Sequence, residues 1–200
     1  MKLFRIRGGV HPDDRKTLAA GRPIEDLPLP ALLHIPLQQH IGAPAQPVVQ
    51  RRQLVAKGEL IGRAQGVVSA PIHAPTSGRI VGLGSYPANH PSGLSVRTVT
   101  LQPDGEDRWH PDIRGVSDPY VLESEEIARR VAEAGIVGMG GATFPSAVKL
   151  NLRTRYPLRS LVINGSECEP YQIRMFIDVA RNERIAQGIA ANCGNATSLP

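Results

Sequence analysis

Glycine and proline interrupt this chain so often that long helices are excluded from most of it. There are 20 glycines and 18 prolines in 200 residues. Glycine loses the most backbone entropy on folding, and proline removes an N–H and clashes with the preceding turn. The balance favours turns and short strands. Residues 1–31 carry Gly8-Gly9, Pro12, Gly21, Pro23, Pro28 and Pro30 and read as loop. From Leu32 the pattern turns to β. Short apolar runs occupy 32–35 and 47–49, and apolar pairs follow at Leu54-Val55, Leu60-Ile61, Val67-Val68 and Ile80-Val81. Lys57-Gly58, Gln65-Gly66 and Thr76-Ser77-Gly78 supply turns between them, and residues 95–101 add a last strand.

Residues 103–120 are polar and rich in Asp, Pro and Gly, the composition of a linker. The domain divide is placed at 111–120. A β domain is expected over 1–110, an incomplete α/β domain over 121–190, and a disordered tail over 191–200. Ser124 is a plausible N-cap, with Glu125 and Glu126 in the first turn and Arg129 and Arg130 later. Ile127, Val131 and Ala134 form an apolar stripe, and Gly135 is placed to end that helix. Four glycines (Gly135, Gly138, Gly140 and Gly141) then fall within a short span, Pro145 opens a second short helix reaching about Leu152, and Lys149 lies one turn beyond. Glycine amides, a helix start and a lysine suit a phosphate. A plain structural turn explains the same residues equally well. The stretch is neither a Rossmann fingerprint nor a P-loop. Residues 158–163 read as a buried strand ending in the polar run Asn164-Gly165-Ser166-Glu167-Cys168-Glu169-Pro170, and 173–190 as a helix.

Composition narrows the function classes. No apolar run approaches the ~20 residues of a membrane helix, and the N-terminus has no signal-peptide h-region. The two cysteines, Cys168 and Cys193, form no Cys-x-x-Cys, so neither a zinc nor an iron–sulfur site is expected within the chain. The six histidines are scattered and three precede proline, which gives no metal-ligand pattern. The net charge of +5 is dispersed and aromatics are only 4%, a poor basis for nucleic-acid binding.

Residues 57–62 and 70–81 look like a biotinyl/lipoyl-type β-sandwich in hairpin rhythm and in the turn at Pro75-Thr76-Ser77-Gly78. No lysine stands at the hairpin centre near Gln65-Gly66, so a structural sandwich is expected, not a swinging arm. The expected fold class is α+β: a barrel-sandwich hybrid followed by an incomplete α/β FMN/NADH-binding domain.

Two motifs together are more specific than either alone. Gly138-Met139-Gly140-Gly141-Ala142-Thr143-Phe144-Pro145 with Lys149-Leu150, and Asn164 through Tyr171, resemble the flavin domain of the RnfC component of the Rnf electron-transport complex and, more loosely, the flavoprotein component of respiratory complex I. Gly8-Gly9-Val10-His11-Pro12, residues 36–44 and His90-Pro91-Ser92-Gly93-Leu94 resemble the same RnfC component. The likeness runs from about residue 3 to 171 and fades beyond Gly188. It implies FMN across the glycine loop, with NADH stacked on its ring. Gly138, Gly140, Gly141 and Lys149 would hold the phosphate side. Asn164, Ser166 and Cys168 would contact the flavin, and Ala142, Phe144 and Glu169 would face the nicotinamide nucleotide. No residue is assigned a catalytic role, because the hydride chemistry belongs to the cofactors. Where the family usually has Gly, this chain has Thr143, and after Tyr171 it has Gln172-Ile173-Arg174 in place of acidic residues.

The family continues into a ferredoxin-like domain with [4Fe-4S] clusters, so the chain looks truncated. The resemblance implies a peripheral protein on the cytoplasmic face of a bacterial inner membrane, partnered by the other subunits of an ion-translocating complex. A non-catalytic docking or assembly module is the alternative. A relative of the NqrA component of the sodium-pumping NADH:quinone reductase, which lacks iron–sulfur sites, is another.

Overall fold

The computed structural model describes residues 13, 15–20, 23, 26–88, 92–138 and 142–150. The loop-rich start holds one helical turn, α1 (Thr17–Ala20). Seven strands follow: β1 (Leu33–Pro36), β2 (Gln46–Pro47), β3 (Leu54–Val55), β4 (Leu60–Arg63), β5 (Ile72–His73), β6 (Gly78–Pro87) and β7 (Ser95–Pro103). They form a four-stranded sheet in the order β1-β7-β6-β3 and a three-stranded sheet in the order β2-β4-β5, with every pairing antiparallel. The long β6–β7 hairpin is the spine. Its register runs from Gly78 opposite Pro103 to Pro87 opposite Ser95, with a bulge between Ile80 and Gly82.

One apolar cluster joins the two sheets. Ile35, Val55, Ile80, Val99 and Leu101 come from the larger sheet, Ile61 and Ile72 from the smaller, and Leu37, Ala45, Val49 and Ala74 from the connections. Ile61, Ile80, Val99 and Leu101 are wholly excluded from solvent. Each such side chain contributes about 1.5–3 kcal/mol by leaving water. Strand alternation sends Thr98 and Thr100 to the other face of β7, where both are also buried. There the Thr98 hydroxyl donates to the Val96 carbonyl at 3.0 Å, and Thr100 Oγ1 meets His34 Nδ1 at 3.1 Å. The His34 ring lies 4.1 Å from that of Tyr86.

The polar residues 104–110 are bonded back onto the sheets. The Ser77 hydroxyl donates to Asp104 at 2.7 Å, and the Lys57 and His110 amides exchange bonds with the Arg108 and Lys57 carbonyls at 2.7 and 2.9 Å. The Lys57 ammonium pairs with Asp107 and sits 4.8 Å from the Trp109 ring centroid. Hydrogen bonding by Ser77 first, then by the Glu106 backbone, lowers the Asp104 pKa, and Lys57 lowers that of Asp107.

A 3₁₀ turn at Pro119–Val121 leads into α2 (Ser124–Glu133), and α3 (Ser146–Leu150) packs against α2. Glu123, not Ser124, is the N-cap residue, and it makes no side-chain cap bond. The buried position of α2 is Ala128. Ile127 and Val131 of the expected stripe are half-buried and Ala134 is exposed. The helix ends on Gly135 as expected. The Gly135 amide bonds the Ala132 carbonyl at 3.1 Å, and the Ile136 amide bonds the Val131 carbonyl at 3.3 Å. With Gly135 at φ +69°, this is a Schellman motif.

The expected strand at Val67-Val68 does not form. Val67 is exposed within a bend. There Ser69 replaces a ladder: its hydroxyl accepts from the Gln65 amide at 2.9 Å and donates to the Ala43 carbonyl at 2.8 Å, while the Val68 carbonyl takes the Ala43 amide. A hydroxyl that satisfies the backbone locally competes with strand pairing.

Candidate functional site

The glycine loop is closed at its base. Val137 bridges Pro145 in antiparallel fashion, the Gly138 amide donates to the Phe144 carbonyl at 2.8 Å, and the Ser146 amide donates to the Ile136 carbonyl at 2.9 Å. Two amides that a phosphate could use, those of Gly138 and Ser146, are therefore committed to the loop itself. Pro145 has none to offer. Thr143 stands at φ +41°, a backbone state that L-residues seldom enter and that glycine enters freely. Lys149, exposed on α3, holds its ammonium 5.8 Å from the centroid of the half-buried Phe144 ring. Among the described residues, then, the loop offers one cation, one ring and the small residues Gly138 and Ala142.

The loop is seated on the sheets. A Cβ on Gly135 would come within 2.4 Å of the Pro71 carbonyl oxygen, so the helix end meets the 70–72 segment at a distance only glycine permits. That segment is fixed in turn by His40, which is 5% exposed. The Ala70 amide donates to His40 Nε2 at 3.0 Å, so Nε2 is the acceptor and Nδ1 carries the proton, donating to the Ile41 carbonyl at 2.9 Å. A recess of about 200 Å³ at this joint is lined by Gln39, His40, His73 and Val137 among others.

Beside the joint lies an open cleft of about 1010 Å³. Its walls come from the 34–41 segment, from His73 and Pro75, from the end of the β6–β7 hairpin (Pro87, Ala88, Ser92, Leu94 and Val96) and from Thr143 of the glycine loop. Burial lowers the His73 pKa, which keeps its imidazole neutral near pH 7. Gln38 and Gln39 each spend an amide N–H on a backbone carbonyl, Gly42 at 3.5 Å and Pro36 at 3.0 Å.

Of the residues singled out in the sequence, Gly138, Ala142, Phe144 and Lys149 fall together on the glycine loop and α3. Gly140, Gly141, Asn164, Ser166, Cys168 and Glu169 lie outside the described residues. The sequence alone assigns no role to Gln38, Gln39, His73 or Leu94. The signal for Gln38 and Gln39 is the Pro36-to-Pro44 stretch and for Leu94 the His90-to-Leu94 stretch, both of which the fold brings to the cleft, while nothing in the sequence marks His73. No group of three or more His, Cys, Asp or Glu that could hold a metal occurs among the described residues.

Comparisons with known proteins bear on both halves. Residues 4–106 match the RnfC barrel sandwich hybrid domain, and residues 131–193 match the Nuo51 FMN-binding domain. The second match reaches beyond Gly188, where the likeness visible in the sequence fades. The chain is 55% identical to the C component of the ion-translocating oxidoreductase complex of Rhodobacter capsulatus, over 94% of this chain and 36% of that protein. It is 42% identical to the C component of the proton-translocating ferredoxin:NAD(+) oxidoreductase complex of Clostridium ljungdahlii, over 94% of this chain and 41% of that protein. For the corresponding component of the ion-translocating oxidoreductase complex of Pseudomonas aeruginosa the identity is 43%, over 84% and 22%. The chain thus spans well under half the length of these relatives. With two sheets around one apolar cluster, a few helices after them, and a family match over more than half its residues, the chain belongs to the RnfC family.

Proposed function

We propose that this chain is the barrel-sandwich and flavin-binding portion of one component of an Rnf-type electron-transport complex, taking electrons from NADH through FMN and passing them toward iron–sulfur and ferredoxin carriers coupled to ion translocation. The observation that carries the reading is the FMN-binding match over residues 131–193, which begins in α2 and covers the glycine loop. The Clostridium relative, whose name includes ferredoxin and NAD(+), supports the donor and acceptor classes. The donor set fits a flavin mononucleotide in kind: an exposed ammonium for a phosphate and a ring for a planar partner. Gly138, Gly140, Gly141 and Lys149 would hold the phosphate side, Asn164, Ser166 and Cys168 the flavin, and Ala142, Phe144 and Glu169 the nicotinamide nucleotide. When bound, FMN supplies the conversion between hydride and single-electron chemistry. The chain's own part is to bind, orient and exclude water.

The iron–sulfur clusters belong in this reading to sequence outside this chain, which has only Cys168 and Cys193. Among the described residues no helix is long and apolar enough to cross a membrane, so membrane attachment in this reading goes through the other subunits of the complex. The commitment of the Gly138 and Ser146 amides to the loop favours a second reading, a docking module whose glycine loop is a structural closure.

An absorbance spectrum of the purified chain with added FMN, then NADH, separates the two. A bound flavin band that bleaches with NADH supports electron transfer. A chain that never retains flavin supports the docking module. Lys149→Ala is expected to weaken FMN binding about tenfold, the loss of one charge-assisted contact.

A further inference from the structure

Of the three histidines that line the cleft, His34, His40 and His73, only His40 is buried. Its Nε2 faces two backbone groups of one residue, the Ala70 amide at 3.0 Å and the Ala70 carbonyl oxygen at 3.2 Å. A neutral ring with its proton on Nδ1 donates to the Ile41 carbonyl and accepts from the Ala70 amide. An imidazolium carries a proton on each nitrogen. Its Nε2–H turns to the Ala70 carbonyl, and the Ala70 amide is left pointing at another N–H. Ala70 is 3% exposed, so water does not replace the lost acceptor, and an orphaned buried amide is costly. The next residue is Pro71, whose carbonyl oxygen already leaves no room for a Cβ on Gly135. The recess at this contact is walled by His40, Ala70 and Pro71 on one side and by Ala134, Gly135 and Val137 on the other. A shift of Ala70 therefore reaches the end of α2 and, three residues on, Gly138, whose amide closes the base of the glycine loop. Among the described residues no Lys, Arg, Asp or Glu lines the recess or the cleft. The titratable groups facing His40 there are His73, whose pKa burial lowers, and His34, which meets Thr100 across the cleft. Glu133, the charged residue of α2 nearest the joint in sequence, pairs with Arg129. No carboxylate therefore offsets a charge on His40, and an unpaired buried charge is unfavourable.

We propose that His40 is a positioning residue for the glycine loop: as a neutral imidazole it holds Ala70 and Pro71 against Gly135, and on taking a proton it releases them. The seat of the loop on the sheets is then complete where imidazole is neutral and loosens toward acid. In its consequence for flavin binding the proposal rests on the electron-transfer reading. The latch itself is a property of the described residues alone.

Amide hydrogen exchange on the full chain at about pH 7.5 and about pH 5.5, on either side of the ordinary imidazole value and above the ordinary carboxylate range, tests this once the chemical exchange rate at each pH is divided out. Protection of the α2 amides is expected to fall about tenfold toward acid while that of β7 holds. His40→Gln offers the Ala70 amide a carboxamide oxygen that does not titrate, and should keep α2 protected at both pH values. His40→Leu offers no acceptor and should leave α2 poorly protected at both, with β7 reporting that the sheets are folded. Nitrogen NMR of the unaltered chain needs no variant: loss of α2 protection should share its midpoint with protonation of His40 Nε2. Protection that is equal at the two pH values, that falls as far in His40→Gln, or that has a different midpoint overturns the proposal. FMN affinity should fall about tenfold further in the unaltered chain than in His40→Gln, a comparison in which titration of the phosphate itself, with its second pKa of about 6, cancels. Equal falls in the two chains overturn the positioning role. If FMN binds neither chain, the electron-transfer reading falls and the exchange result still decides the latch.

Discussion

The sheets and the glycine-loop region are held together by different physics. In the sheets, eleven buried apolar residues form one cluster, and the β6–β7 and β1–β7 ladders lock its register. Among the described residues from α2 to α3, the buried apolar side chains are those of Ala128, Pro145 and Ala147. What stiffens α2 lies on its exposed face: Arg129 and Arg130 both reach Glu126, and Arg129 also reaches Glu133 at 2.6 Å. Exposed ion pairs of this kind stabilise little. Among the described residues, the α2–α3 region with its few buried side chains borrows rigidity from a neighbour whose core is filled. The contact of Gly135 with Pro71 is where it does so.

The largest expected effect breaks the lender. Leu101→Ala empties a site of zero exposure at the centre of the cluster and is expected to cost about 2–5 kcal/mol. Urea unfolding followed by circular dichroism measures it. A loss under about 1 kcal/mol would show that the cluster is not the main source of stability.

Next comes the joint. Gly135→Ala must place a Cβ at φ +69° and within 2.4 Å of the Pro71 oxygen. The left-handed backbone alone costs about 1–2 kcal/mol. Amide hydrogen exchange is the sharper readout: α2 amides should lose protection while those of β7 keep theirs. Equal loss in both would mean that the two regions unfold as one body and share one source of stability.

Legibility in the sequence follows the same division. Strands β3, β4 and β6 coincide with apolar pairs bounded by turns, because short-range pattern and burial agree there. Residues 120–134, the longest stretch of the first 150 without Gly or Pro, hold α2, and Gly135 ends it as its type predicts. Val67-Val68 misleads because periodicity does not register a serine that captures the neighbouring backbone. The cleft is not legible. It is assembled from Gln38, His73, Leu94 and Thr143, which are far apart in sequence and carry no chemistry individually. His40 likewise reads as one of six scattered histidines, and only the fold reveals its bond across to the Ala70 amide.

A smaller effect sharpens the comparison from the loop side. Thr143 occupies a left-handed conformation at φ +41°. Thr143→Gly removes about 1–2 kcal/mol of backbone strain and restores about 0.5–1 kcal/mol of unfolded-state entropy, so a net gain of up to about 1.5 kcal/mol is expected. Thermal denaturation would register it as a small rise in Tm. A fall would mean that the threonine side chain makes a contact worth more than the strain.

The smallest effect concerns acid. Hydrogen bonds from Arg129, and then from Arg130, lower the Glu126 pKa below its ordinary 4.5. A carboxylate lowered on folding contributes stability that is complete above the unfolded value and is lost as pH falls through the folded one. The contribution of Glu126 should therefore be present at pH 6 and fade only below about pH 4.5. Because the group is exposed, salt should screen it. Glu126→Gln should remove the acid-dependent part of α2 protection and leave the exchange of β6 and β7 amides unchanged. Asp104 and Asp107, also lowered, titrate on the sheet side, so acid loosens both regions, but the substitution isolates the helix. If α2 protection in the variant still declines below pH 4.5 as it does in the parent, the ion pairs on its exposed face do not hold the helix. Its rigidity would then come from its packing against α3 and from the Gly135–Pro71 joint.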